Sequence, residues 1–161
     1  MTFRVKTLAL AAAGLVAASP AFAIEVSKSA EIAAAPDSVW KMIGTFCDIQ
    51  NWHPAVKKCE LKQDGGKNVR TLTLPDGATL VEEEVSRDDD KMSYTYKILE
   101  GPLPVENYES TISVSGSGDS ATVDWSGHFD AKGASDDKAS EVIGGIYDAG
   151  LASLKEKAGK M

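Results

Sequence analysis

An α+β fold follows from three patterns in the sequence: a seven-stranded antiparallel sheet, two short helices after the first strand, and a long helix at the C-terminal end. Apolar and polar residues alternate across one isolated segment near the start of the folded part. Six short alternating segments, separated by turn residues, fill the middle of the chain. A period of about 3.6 residues takes over at the end.

The chain has 161 residues, 43% hydrophobic and 25% charged, which is one domain's worth of globular protein. Its net charge of −7 provides no basic surface to neutralise phosphates, which argues against nucleic acid or an anionic membrane surface as a partner. The first 23 residues are a separate matter. Arg4 and Lys6 precede an apolar run from Leu8 to Ala18, and Ala21-Phe22-Ala23 supplies small residues for cleavage, the pattern of a secretory signal peptide. At 11 residues the run is well short of the roughly 20 that span a bilayer, so no membrane span is expected in the mature protein. The expectation is a periplasmic protein, with residues 24–161 as its one domain.

Ile24, Val26, Ala30 and Ile32 share one face of the first strand. Pro36 opens a helix in which Val39, Trp40, Ile43 and Phe46 recur at helical spacing over Ser38–Phe46, and a second broken turn runs through Trp52-His53-Pro54. Cys47 and Cys59 flank that turn. In an oxidising compartment they form one disulfide; the alternative is a Cys-His-Cys metal set with His53, which lacks an obvious fourth ligand.

Gly65-Gly66, Pro75-Asp76-Gly77, Asp88–Asp90, Gly101–Pro104 and Gly116–Asp119 then divide residues 56–131 into six strands. Alternation places Met92, Tyr94, Tyr96 and Ile98 on one face and Tyr108, Ser110, Ile112 and Val114 likewise. In the last strand Val123, Trp125 and Phe129 face one way, which puts His128 on the wet side. Glu82-Glu83-Glu84 and Asp88-Asp89-Asp90 lack the spacing of a calcium loop and read as a solvated acidic edge.

Ser135 is a natural N-cap for the last helix, Asp136 and Asp137 suit its N-terminal dipole, and Lys155, Lys157 and Lys160 suit its other end. Ala139, Val142, Ile143, Ile146, Gly150 and Leu154 form its apolar stripe. Gly144, Gly145 and Gly150 each cost about 1 kcal/mol relative to Ala inside a helix. Either close backbone approach or a cavity beneath the helix accounts for them.

This order of elements, together with Val39-Trp40, Trp52-His53-Pro54, Leu74-Pro75, Asn107-Tyr108 and Gly150-Leu151, resembles the START-related, birch-pollen-allergen-like (SRPBCC) superfamily and its polyketide cyclase/dehydrase group. It is also similar to the plant abscisic-acid receptors. The resemblance implies a helix-grip fold that holds a hydrophobic or amphipathic small molecule between the sheet and the long helix. The implied lining is Lys57, Leu74, Pro75, Glu82, Tyr94, Tyr96, Ile98, Leu103, Tyr108, Ser110, Trp125, Val142, Ile146 and Gly150. In the receptors the lysine matching Lys57 grips a ligand carboxylate, and the expectation here is a Lys57–Glu82 pair in the empty protein. Leu74-Pro75 and Gly101-Pro102-Leu103-Pro104 match the receptor loops in position, but the second lacks their histidine and arginine, so receptor-type partner recognition is not implied.

Binding is the leading expectation. Cyclase or dehydratase chemistry needs an acid or base beside a carbonyl, for which His53 and Glu82 are the candidates, although His53 equally suits a helix corner or the core. No nucleophile has an adjacent base, no phosphate or dinucleotide loop is present in the sequence, and no cofactor or metal is implied. A third reading is an exported accessory protein that assists a redox enzyme and its cytochrome, as one member associated with periplasmic methanol oxidation is proposed to do.

Overall fold

The computed structural model describes residues 23–160, so the signal-peptide segment lies almost wholly outside the described residues. Strand β1 (Ile24–Ile32) is followed by helices α1 (Pro36–Ile43) and α2 (Ile49–Trp52). Then come β2 (Lys58–Asp64), β3 (Lys67–Thr73), β4 (Thr79–Asp88), β5 (Ser93–Glu100), β6 (Val105–Ser117), β7 (Ser120–Ala131) and α3 (Asp136–Ala158). All pairings are antiparallel in the order β1-β7-β6-β5-β4-β3-β2. The meander from β2 to β7 leaves the far edge of β7 for β1, so the first and second strands become the two edges of the sheet.

Pro36 at the start of α1 fixes a helical φ where no intrahelical donor is needed, and Val39, Trp40 and Ile43 bury one face. The helix stops at Ile43, short of the predicted Phe46. Gly44 adopts φ +69°, and the Asp48 carboxylate accepts from both the backbone N–H and the hydroxyl of Thr45, giving the chain a local alternative to another helical turn. The disulfide Cys47–Cys59 then ties this corner to β2, and the metal alternative falls.

Helix α3 is capped by the Ser135 side chain, which accepts from the Lys138 N–H, and packs chiefly on β1 and β7. Ala139, Ile143, Tyr147, Gly150, Leu151 and Leu154 are buried beneath it. On the sheet, Tyr108, Ser110, Ile112 and Val114 all point inward, as do Val123, Trp125 and Phe129, while His128 is exposed. Met92 does not join the tyrosine strand; it sits in the preceding turn with φ +48°. Glu82 and Glu84 are buried on an internal strand, and Glu83 pairs with Lys97, so the acidic run is not a solvated edge.

Candidate functional site

Beneath α3 the sheet and α2 line a cavity of about 90 Å³. Its walls are mainly aliphatic and aromatic, including Ile49, Leu72, Leu80, Tyr96, Tyr108, Trp125 and Ile143. Five partly exposed residues form its rim: Ala55 after α2, Leu74 after β3, Ile98 on β5, Leu103 between β5 and β6, and Ile146 on α3. A wider depression of about 620 Å³ lies on the outer face, where β5 and β6 diverge beyond Lys97 and Glu109. It is polar and open to solvent. The inner cavity is the one whose walls are almost wholly apolar.

One charge reaches that cavity. Antiparallel register sets Arg70 of β3 opposite Glu82 of β4, both inward, and Arg70 Nε donates to Glu82 Oε2 at 2.6 Å. Arg70 Nη1 donates to the Phe46 carbonyl, and the guanidinium lies 3.9 Å above the Phe46 ring. Burial opposes the arginine charge, but the Glu82 carboxylate and the buried tyrosines beside it outweigh that and hold its pKa above the ordinary value. Burial pushes the Glu82 carboxyl up, with Arg70 pulling the other way. Protonating Glu82 would strand a buried guanidinium without its counter-charge, so the pair is ionic. Glu82 Oε1 accepts no hydrogen bond among the described residues, yet it is not sealed from solvent, and Glu82 lines the cavity.

Beside this pair runs a chain of hydroxyls whose direction is fixed from one end. Ser110 donates to the Ser126 carbonyl at 2.8 Å, and Tyr147 donates to Ser110 at 3.0 Å. Tyr108 must therefore donate to Tyr147, 2.6 Å away, and Tyr96 to Tyr108 at 3.3 Å. Trp125 Nε1 donates to the Tyr96 and Ser110 oxygens, each at 3.1 Å. Burial holds the Tyr96 and Tyr108 hydroxyls well above their ordinary pKa, so they stay neutral. Gly127 of β7, opposite Ser110, makes room for the Tyr147 hydroxyl, which any Cβ there would strike.

His53 caps α2 and lines the same cavity. Its Nδ1 accepts from the Ala55 N–H at 3.1 Å, which leaves Nε2 as the protonated nitrogen, donating to the Ile146 carbonyl at 3.0 Å. Burial lowers its pKa, opposed by the Ile146 carbonyl and aided by Arg70. The imidazole is neutral with both nitrogens engaged, so it joins α2 to α3 and has no free lone pair for a reacting proton.

Residues 23–159 match the family model described as polyketide cyclase / dehydrase and lipid transport. The chain belongs to this family. As a polyketide cyclase/dehydrase family protein it has the SRPBCC helix-grip fold, and solved structures agree. It is 38% identical to the protein XoxI from Bacillus cereus, with a TM-score of 0.78 over 83% of this chain and 94% of that one. The Zhui aromatase/cyclase from Streptomyces sp. R1128 superposes with a TM-score of 0.71 at 18% identity, covering 86% of this chain and 95% of that one. Norcoclaurine synthase from Thalictrum flavum gives 0.64 at 19%, covering 86% and 96%. These last two share the fold. Among curated proteins, none matches the chain.

Of the residues expected to hold a ligand, Leu74, Glu82, Tyr96, Ile98, Leu103, Tyr108, Trp125 and Ile146 sit around the cavity, together with His53. Other expected residues do not. Lys57 is exposed just before β2, and Arg70 takes the place foreseen for it beside Glu82. Pro75 is exposed in its turn, and Val142 flanks the buried stripe rather than the void. Tyr94 is buried one layer away, against Trp40 and Phe46. Ser110 sits behind the lining as a hydrogen-bond relay. Gly150 faces no void: a Cβ there would lie 2.7 Å from both His53 Cδ2 and Trp125 Cζ3, so close approach explains this glycine.

The sequence reading missed the wall residues Ile49, Leu72 and Leu80, and, behind the wall, Arg70 and Tyr147. Once Pro75-Asp76-Gly77 is taken as a hairpin turn, counting outward sets Arg70 against Glu82. Tyr147 lies four residues after Ile143 and four before Leu151, on the buried stripe.

Proposed function

We propose that the protein is an exported binding protein that takes up the apolar part of a small hydrophobic or amphipathic molecule in the cavity beneath α3. The observation that carries this reading is a largely apolar hollow beneath α3 with an aliphatic rim formed by Leu74, Ile98, Leu103 and Ile146. Drug-sized ligands occupy sites of about 300–1,000 Å³, and the present void is about 90 Å³. The resting cavity therefore admits a short chain, and a larger guest requires Leu103 and Ile146 to part. The lipid-transport element of the family description supports the same reading. The disulfide fits an oxidising compartment, and the N-terminal pattern favours a periplasmic one.

Acid–base catalysis is the weaker reading, because His53 has both nitrogens occupied and Glu82 is held by Arg70. Native mass spectrometry of protein taken from its own cell envelope tests the proposal. A small molecule released by the wild type and missing from folded Ile146→Trp is the expected result. Equal retention by both forms would place that molecule elsewhere and overturn it.

A further inference from the structure

We infer that the cavity selects a small neutral hydrogen-bond donor, a short-chain alcohol, over a carboxylate or an ammonium ion of the same length. The inference rests on the binding reading above and specifies the head group. The inner polar atoms of the wall offer one free acceptor and no free donor. Glu82 Oε1 is the acceptor. The Tyr96 and Tyr108 protons are committed along the chain that ends at the Ser126 carbonyl, the Trp125 N–H is committed to Tyr96 and Ser110, and the His53 N–H is committed to the Ile146 carbonyl. Arg70 Nη2 has no partner but is buried in the layer behind, outside the cavity lining.

A carboxylate entering this space would meet Glu82 with no donor to receive it, and would lose its hydration for nothing. An ammonium ion could reach Glu82 Oε1, but Arg70 already balances that carboxylate, so the cation would remain as an uncompensated buried charge. An alcohol donates one hydrogen bond to Glu82 Oε1, adds no charge, and leaves its alkyl chain against Leu72, Leu80, Ile143 and Ile146. The small volume of about 90 Å³ favours a short alkyl chain over a long one.

The test is a methyl-detected NMR titration of the full mature chain at neutral pH with 1-propanol, propionate and propylammonium, read at Ile143 and Ile146. Saturable shifts are expected with 1-propanol, and binding of either ion is expected to be at least about tenfold weaker, the loss typical of one hydrogen bond to a charged group. Propionate or propylammonium binding as tightly as 1-propanol would overturn the selection while leaving the cavity reading in place. No saturable shift with any of the three would remove both. Glu82→Gln should reverse the order towards propionate, because Arg70 then lacks its counter-charge. Should that variant fail to fold, the double replacement Arg70→Met with Glu82→Leu removes the pair as a unit. It should weaken 1-propanol about tenfold, and unchanged affinity there would equally overturn the selection.

Discussion

Gly150 shows how tightly single residues are constrained around the cavity. Its missing side chain lets the α3 backbone rest on the edges of His53 and Trp125. Gly150→Ala should lower stability by about 1–3 kcal/mol through overpacking, seen as a drop in thermal midpoint, even though alanine favours helix. An unchanged or raised midpoint would show that the two rings can yield. His53 supplies a second prediction. Its pKa is lowered in the folded protein, so its contribution to stability is complete above the unfolded value of 6.5 and is lost as the pH falls from there through the folded value. Urea denaturation between pH 7 and 5 should show stability falling with acidification, and less steeply in His53→Gln.

The lysine expectation failed for a physical reason at this same scale. Lys57 precedes β2, and β2 is itself an edge strand whose side chains are mostly exposed, so sharing sequence parity with Cys59 and Leu61 did not mean burial. Arg70 lies one strand further in, and there inward parity does bury a side chain.

At the level of elements, the helix glycines separate into distinct cases. Gly145 is exposed and a Cβ on it would meet nothing within 4 Å, so Gly145→Ala should raise stability by about 1 kcal/mol, in contrast with Gly150→Ala. At the head of the same helix, Ser135→Ala removes the acceptor for the Lys138 N–H and should cost about 1 kcal/mol by chemical denaturation. Strands and caps were readable before any coordinates because period, turn residues and capping chemistry are local. The end of α1 was not, since it depends on the Asp48 carboxylate folding back onto Thr45. Whether α3 covers a void or a filled interior was equally out of reach. That is decided by where Tyr108, Tyr147 and Trp125 come together from three distant segments, with the Tyr147 and Trp125 rings stacked at 4.6 Å.

For the molecule as a whole, the seven antiparallel strands, the meander and the single core under a late helix were legible in the sequence, whereas the pairing of β1 with β7 joins segments about a hundred residues apart and leaves no local signal. The energetic contribution of the disulfide is a property of the entire chain, because it acts largely on the unfolded ensemble. Replacing Cys47 and Cys59 together by Ser should lower stability by about 2–3 kcal/mol in denaturant titration, with the helical corner intact. A loss below about 0.5 kcal/mol would mean that the bond is dispensable.

That bond also joins two parts with unequal support. Strand β2 hydrogen-bonds to β3 alone, and its residues are mostly exposed, whereas each strand from β3 to β7 is held on both sides. A reducing agent would therefore act locally, unbuttoning the outermost ribbon from its helical corner while the remaining ladder stays zipped. Proteases should find their first cut in the β2–β3 hairpin, around Gly65 and Gly66.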